Sequence, residues 1–121
     1  KESGEPQPLC LIGVGKDVSQ ALWYRIDIDE SEAGMWDFNT AGSTYDTVMT
    51  LYRAPSRGKA TFASLDAVDC NDDNFLGQTS SAARFFVNVT PGRYYVQIGD
   101  YDTPGSAPHM TQFSVGPIVA P

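Results

Sequence analysis

Polar and apolar residues alternate with a period of two through much of this chain. Ala21–Ile28 (ALWYRIDI) sets Leu22, Tyr24, Ile26 and Ile28 on one face and Trp23, Arg25 and Asp27 on the other. That alternation is the signature of a half-buried strand. Met35–Thr40 repeats it with Trp36 and Phe38 together, and Asp46–Tyr52 sets Val48 and Thr50 against Met49 and Leu51. Ala82–Thr90 aligns Phe85, Val87 and Val89; Arg93–Gly99 aligns Tyr94, Val96 and Ile98 and leaves Tyr95 with Gln97. Pro91-Gly92 between these two reads as a tight turn, which predicts a hairpin. Pro8–Val14, Thr61–Leu65 and Met110–Val115 read as shorter strands, and Asp66–Thr79 reads as a long, acidic, irregular loop. The acidic stretch Asp29–Gly34 has helix-like composition but is too short to hold a helix alone.

The pattern predicts an all-β chain, an antiparallel, jelly-roll-like β-sandwich of about eight strands. Residues 9–116 form the sandwich, residues 1–8 (KESGEPQP) a polar N-terminal arm or linker, and residues 117–121 a tail. A chain of 121 residues is one domain, long enough to bury a core.

Charge narrows the partners. Fifteen acidic residues against eight basic ones give a net charge of −7. That disfavours nucleic acid and anionic membrane surfaces. No apolar run reaches the roughly 20 residues of a membrane span. The chain begins on a polar, proline-containing segment without an initiator Met, as a trimmed exported protein would. Cys10 and Cys70 then read as one disulfide, contributing on the order of 4 kcal/mol; the alternative is two unrelated buried thiols.

Three groups of side chains carry possible chemistry. Asp69, Asn71 and Asp73 alternate as D-x-N-x-D, the way a calcium loop begins, with Asp46 as a donor from the neighbouring strand and Asp72 able to replace Asp69. Asp69–Asn74 holds three carboxylates and Asp46 would supply a fourth, so the reading needs the two stretches to meet. An Asx-rich turn with Asp46 capping backbone amides is the simpler alternative. The aromatics Trp23, Phe86, Tyr95 and Tyr101 are the candidates for stacking a ligand on a sheet face. Asn88-Val89-Thr90 is a glycan acceptor sequence at Asn88. Catalysis has little support: His109 is the only histidine, in a proline-flanked loop, and no Gly-x-Ser-x-Gly elbow is present.

Four stretches, Leu22–Ile28 (LWYRIDI), Trp36–Tyr52 (WDFNTAGSTYDTVMTLY), Cys70–Asp73 (CNDD) and Phe85–Asp102 (FFVNVTPGRYYVQIGDYD), resemble the bacterial pre-peptidase C-terminal domain family in order and spacing. The resemblance implies a β-sandwich, export and a non-catalytic accessory role. Many members place a cysteine just before the Ser-aromatic-Asp-Thr turn, where this chain has Ala41 and Gly42. Cys70 would then have to reach Cys10 or stay free.

Together these readings predict a non-enzymatic module of an exported or cell-surface protein, stabilised by calcium, that binds polysaccharide or an extracellular protein. The alternative is a structural subunit or repeat of a filament, sheath or surface layer, with copies of itself as partners.

Overall fold

The computed structural model describes residues 6, 18–40, 47–56, 60–71, 83–101 and 111–118, the side chains of 18–20, 100 and 101 excepted. Seven strands run through them: β1 (Val18–Ile28), β2 (Gly34–Asn39), β3 (Thr47–Arg53), β4 (Asp66–Asn71), β5 (Arg84–Val89), β6 (Gly92–Tyr101) and β7 (Ser114–Pro117). They form two antiparallel sheets, a four-stranded one ordered β1-β6-β3-β4 and a three-stranded one ordered β5-β2-β7. The fold is an antiparallel β-sandwich. Among the described residues no helix is long and apolar enough to cross a membrane.

The period-two faces of β2, β3, β5 and β6 appear as the pattern requires, whereas on β1 Ile28 is buried and Ile26 partly so while Leu22 and Tyr24 are 48% and 36% exposed. Ile28, Met49, Leu51, Tyr94, Val96 and Ile98 from the larger sheet meet Trp36, Phe38, Phe85 and Val89 from the smaller one. Phe38 and Phe85, directly opposite on β2 and β5, pack their rings 5.3 Å apart. Burying one such side chain contributes about 1.5–3 kcal/mol. Tyr24 of β1 meets Phe113, the residue before β7, at 4.9 Å between ring centroids. β4 lies over β5, where the Arg84 amide donates to Asn71 Oδ1 over 3.4 Å.

Three expectations are corrected. Asp66–Asn71 is a strand paired with β3, not part of an irregular loop. It is the end strand of the described sheet, and Asp66 and Asp69 flanking Ala67 and Val68 break the period-two pattern that would mark it. Phe62–Ser64, read as strand, is a 3-10 turn in which the Thr61 amide donates to Ser64 Oγ over 2.8 Å.

The third correction concerns the two strands joined by Pro91-Gly92, which do not form a hairpin. β5 pairs with β2, and β6 pairs with β1 and β3, so the chain crosses from one sheet to the other at this corner. The crossing is held by Tyr94, whose hydroxyl donates to the Thr90 carbonyl over 2.9 Å, the logic of a tyrosine corner. Arg53, at the end of β3, donates to Tyr94 Oη at 3.0 Å, to the Pro91 carbonyl at 3.0 Å, and to the Thr90 hydroxyl. Gly92 has a φ of +151°, and a Cβ there would sit 3.1 Å from the Arg53 guanidinium, so glycine suits both the backbone and the space.

A hydroxyl knot ties other strand ends together. Thr40 Oγ1 and Thr47 Oγ1 are 2.6 Å apart, and the Ala83 amide donates to both, at 2.8 and 3.1 Å. All three residues are buried, so the two hydroxyls satisfy an amide that water cannot reach. Thr47 is the threonine of the Ser-Tyr-Asp-Thr stretch, and within the described residues its part is structural.

Candidate functional site

The register of the four-stranded sheet sets its outer face residue by residue. One row crosses all four strands: Trp23, Gln97, Thr50 and Cys70. The next holds Arg25, Tyr95, Tyr52 and Ala67, and beyond it Asp27 stands opposite Arg93. An outer sheet face is ordinarily wet, yet Val48, Thr50 and Gln97 are all 0% exposed and Tyr52 is 3%. Both faces of β3 are therefore buried.

Gln97 is the centre of this covered region. Its Oε1 accepts from the Tyr52 hydroxyl at 3.1 Å, and its Nε2 donates to the carbonyl of Pro6 at 3.1 Å. A buried amide needs such partners, because leaving either end unmade costs about 1–3 kcal/mol. Pro6 belongs to the polar arm, so this point of the arm lies on the sheet.

Next to it stands a stack of rings. Trp23 lies 5.6 Å from Tyr52 and 5.6 Å from Phe62 between centroids, with the ring planes tilted by 35° and 33°. Phe62 reaches the sheet because the 3-10 turn brings it back over β1. Trp23, Phe62 and Tyr95, with Ala60, Thr61 and Leu65, line an open, largely apolar recess of about 510 Å³. That volume lies within the range of small-molecule clefts.

Charge lies beside the recess on the same sheet face, where Arg25 is opposite Tyr95 and Asp27 opposite Arg93. Arg93 Nε meets Asp27 Oδ1 at 2.8 Å, and Arg25 Nε lies 3.6 Å from Asp27 Oδ2. The Arg93 hydrogen bond, then the charges of Arg93 and Arg25, hold the Asp27 carboxyl below its ordinary range. Asp27 in turn raises the Arg93 pKa, with Tyr95 adding to the effect.

Two of the four aromatics expected to stack a ligand thus share one site, Trp23 and Tyr95. Phe86 lies on the outer face of the other sheet, 37% exposed, with the Arg84 guanidinium 5.0 Å above its ring. Tyr101 ends β6 and its side chain lies outside the described residues. Asn88 is exposed on the outer face of β5, opposite Met35. Sequence alternation did not reveal Phe62, Leu65 or the role of Gln97. The one local signal was Thr61 followed three residues later by Ser64, a pairing that favours a capped turn over a strand.

Of the predicted metal ligands, Asp46, Asp72 and Asp73 lie outside the described residues. Asp69 and Asn71 sit on the same face of β4, opposite Leu51 and Met49. Asp69 Oδ1 accepts from the Cys70 amide at 2.8 Å, and Asn71 Oδ1 takes the Arg84 amide. A smaller recess of about 250 Å³ joins Asp69 and Asn71 to Arg84 and Phe86. Among the described residues no group of three or more His, Cys, Asp or Glu is placed to hold a metal. Asp69 and Asn71 are thus the two of the five proposed ligands that are described. Cys70 Sγ lies 3.3 Å from Thr50 Oγ1, and no described cysteine is free; Cys10 lies outside the described residues, as does His109.

The chain matches no protein-family model, no curated protein and no solved structure.

Proposed function

We propose that this chain is a non-catalytic binding module of an exported protein, taking polysaccharide or an extracellular protein on the outer face of its four-stranded sheet. The observation that carries the reading is the recess walled by Trp23, Phe62 and Tyr95. Ring faces at an open surface are the usual means of stacking a sugar or a planar side chain. Sequence resemblance to the pre-peptidase C-terminal family points the same way. The test is retention on insoluble polysaccharide and on extracellular-matrix protein, with Trp23→Ala as control. Retention that Trp23→Ala abolishes supports the module; retention that is unchanged places the site elsewhere.

A disulfide between Cys10 and Cys70 belongs to the same proposal. Gln97, Thr50 and Cys70 are register partners across β6, β3 and β4, so Cys70 stands two strands from Gln97, roughly 10 Å. Pro6 is bonded to Gln97, and the four residues on to Cys10 can span up to about 14 Å. The arm is thus long enough to reach from one to the other. Alkylation without reductant followed by mass measurement tests it: no added label is expected, and labelling of both thiols removes the disulfide.

Calcium binding rests on Asp69 and Asn71 sharing a face of β4, with Asp72 and Asp73 following in sequence and Asp46 directly before β3. A cation bound only by the native state raises the melting temperature, so equal melting in calcium and in chelator eliminates it.

The second reading, a structural subunit of a filament or surface layer, is favoured by Met35, Phe86 and Ile118, all more than a third exposed on the smaller sheet. Concentration-dependent sedimentation and electron microscopy separate it from a monomeric module.

A further inference from the structure

We infer that the recess on the four-stranded sheet takes an anionic polysaccharide, one whose sugar rings carry carboxylates as uronic acids do. This rests on the binding-module reading and narrows it to a ligand class. The rings of Trp23, Phe62 and Tyr95 would accommodate any sugar with an apolar face. What selects an acidic one is the charge beside the rings on the same sheet face. Arg25 stands directly opposite Tyr95 across β1 and β6, and two residues along β1 from Trp23. Arg93 lies on the same face, two residues before Tyr95. Both guanidiniums converge on the single carboxylate of Asp27, at 2.8 and 3.6 Å. One carboxylate balances one guanidinium, so this group, beside the recess on the same sheet face, keeps one positive charge in a chain whose net charge is −7. All three side chains are about half exposed, and both ion pairs are made through Nε. The terminal nitrogens of arginine form the planar fork that fits a carboxylate. A neutral glycan would use the rings and leave the arginines without a role in recognition.

The experiment is calorimetric titration of the intact chain with an oligogalacturonate and with its fully methyl-esterified form, which has the same rings without the charge. The acid form is expected to bind about tenfold tighter, the effect of one charged contact, and to weaken as salt rises. Arg25→Gln, which leaves the Arg93–Asp27 pair in place, should bring the two forms level, and Trp23→Ala should weaken both. Equal binding of acid and ester by the unaltered chain overturns the inference while leaving the module reading standing. Binding of neither form, with the native circular dichroism spectrum intact, overturns the polysaccharide reading as well. Binding of oligoglutamate in preference to the oligouronate replaces the glycan by an acidic peptide and also overturns the inference.

Discussion

The outer faces of the two sheets are unlike, although both alternate in the same way along the chain. On the smaller sheet Met35, Asn88, Phe86 and Ile118 meet water, and the polar work is done by one bidentate pair, Arg84 with Asp37, at 3.1 and 2.9 Å. On the larger sheet the middle of the outer face is closed. Gln97, Thr50 and Val48 are fully buried, a ring stack covers β1, and Pro6 is bonded to Gln97. An ordinary sheet spends its second face on solubility. This sheet builds a second, partly polar layer there and leaves one recess open beside it, which is where specificity can be made. The difference teaches that the candidate site belongs to the roof of the larger sheet and not to the core between the sheets.

Substitutions at matched positions of the two faces test that contrast. Gln97→Leu should cost about 2–3 kcal/mol, since it leaves the Tyr52 hydroxyl and the Pro6 carbonyl without the partner each now has. Asn88→Leu on the smaller sheet should stay within about 0.5 kcal/mol. Urea unfolding of the pair reads the difference, and equal losses would show that the two faces are alike after all.

Trp23→Ala should cost about 2 kcal/mol, because Trp23 is half-buried against Tyr52 and Phe62 and the cavity left is partly open to solvent. Phe86→Ala should cost less than about 1 kcal/mol, its ring being exposed beneath Arg84. A larger loss at Phe86 than at Trp23 in the same thermal melts would reverse the assignment of which face is covered.

Asp37→Asn removes the ion pair of the smaller sheet and should cost about 0.5–1 kcal/mol, because both side chains are partly exposed and screened. The loss should shrink in high salt, and a salt-independent loss would point to packing instead.

The smallest effect is beside the recess. The carboxyl of Asp27 is held low in the folded chain by its hydrogen bond to Arg93, so the stability it lends is present above the unfolded value and is lost as pH falls through the folded one. Melting temperature should therefore carry a slight Asp27-dependent decline confined to below about pH 4. Titrating Asp27→Asn beside the unaltered chain isolates it, and an Asp27-dependent change near neutrality would contradict the assignment.

The strands of the core were legible because β2, β3, β5 and β6 each have a buried apolar row, and β1 carries the same alternation although only its Ile26–Ile28 end reaches the core. What local pattern could not carry was anything set by a partner far along the chain. β4 (DAVDCN) mixes acidic and apolar residues without a clean alternation, and its pairing with β3 is what makes it a strand. Pro91-Gly92 has the residues of a hairpin turn, but Arg53, 38 residues away from Pro91, holds the corner that sends β6 into the other sheet. Trp23 and Tyr95 could be picked out as ring faces turned away from the core. That they share a recess depends on β1 pairing with β6, and on a turn that brings Phe62 over both. The proposed metal ligands remain divided in the same way: Asp69 and Asn71 are placed on one face, and their proposed companions Asp46, Asp72 and Asp73 lie outside the described residues.

The chain contains two tryptophans, and they report on the two environments that matter. Trp23 walls the recess, while Trp36 is buried in the core with its indole N–H donating to the Glu32 carbonyl over 2.8 Å. A nitrogen–proton correlation spectrum resolves both indoles as separate peaks. Titration with oligogalacturonate is expected to shift the Trp23 indole progressively to saturation and leave the Trp36 indole in place. A shift confined to Trp36, or none at either indole up to millimolar ligand, would contradict the account.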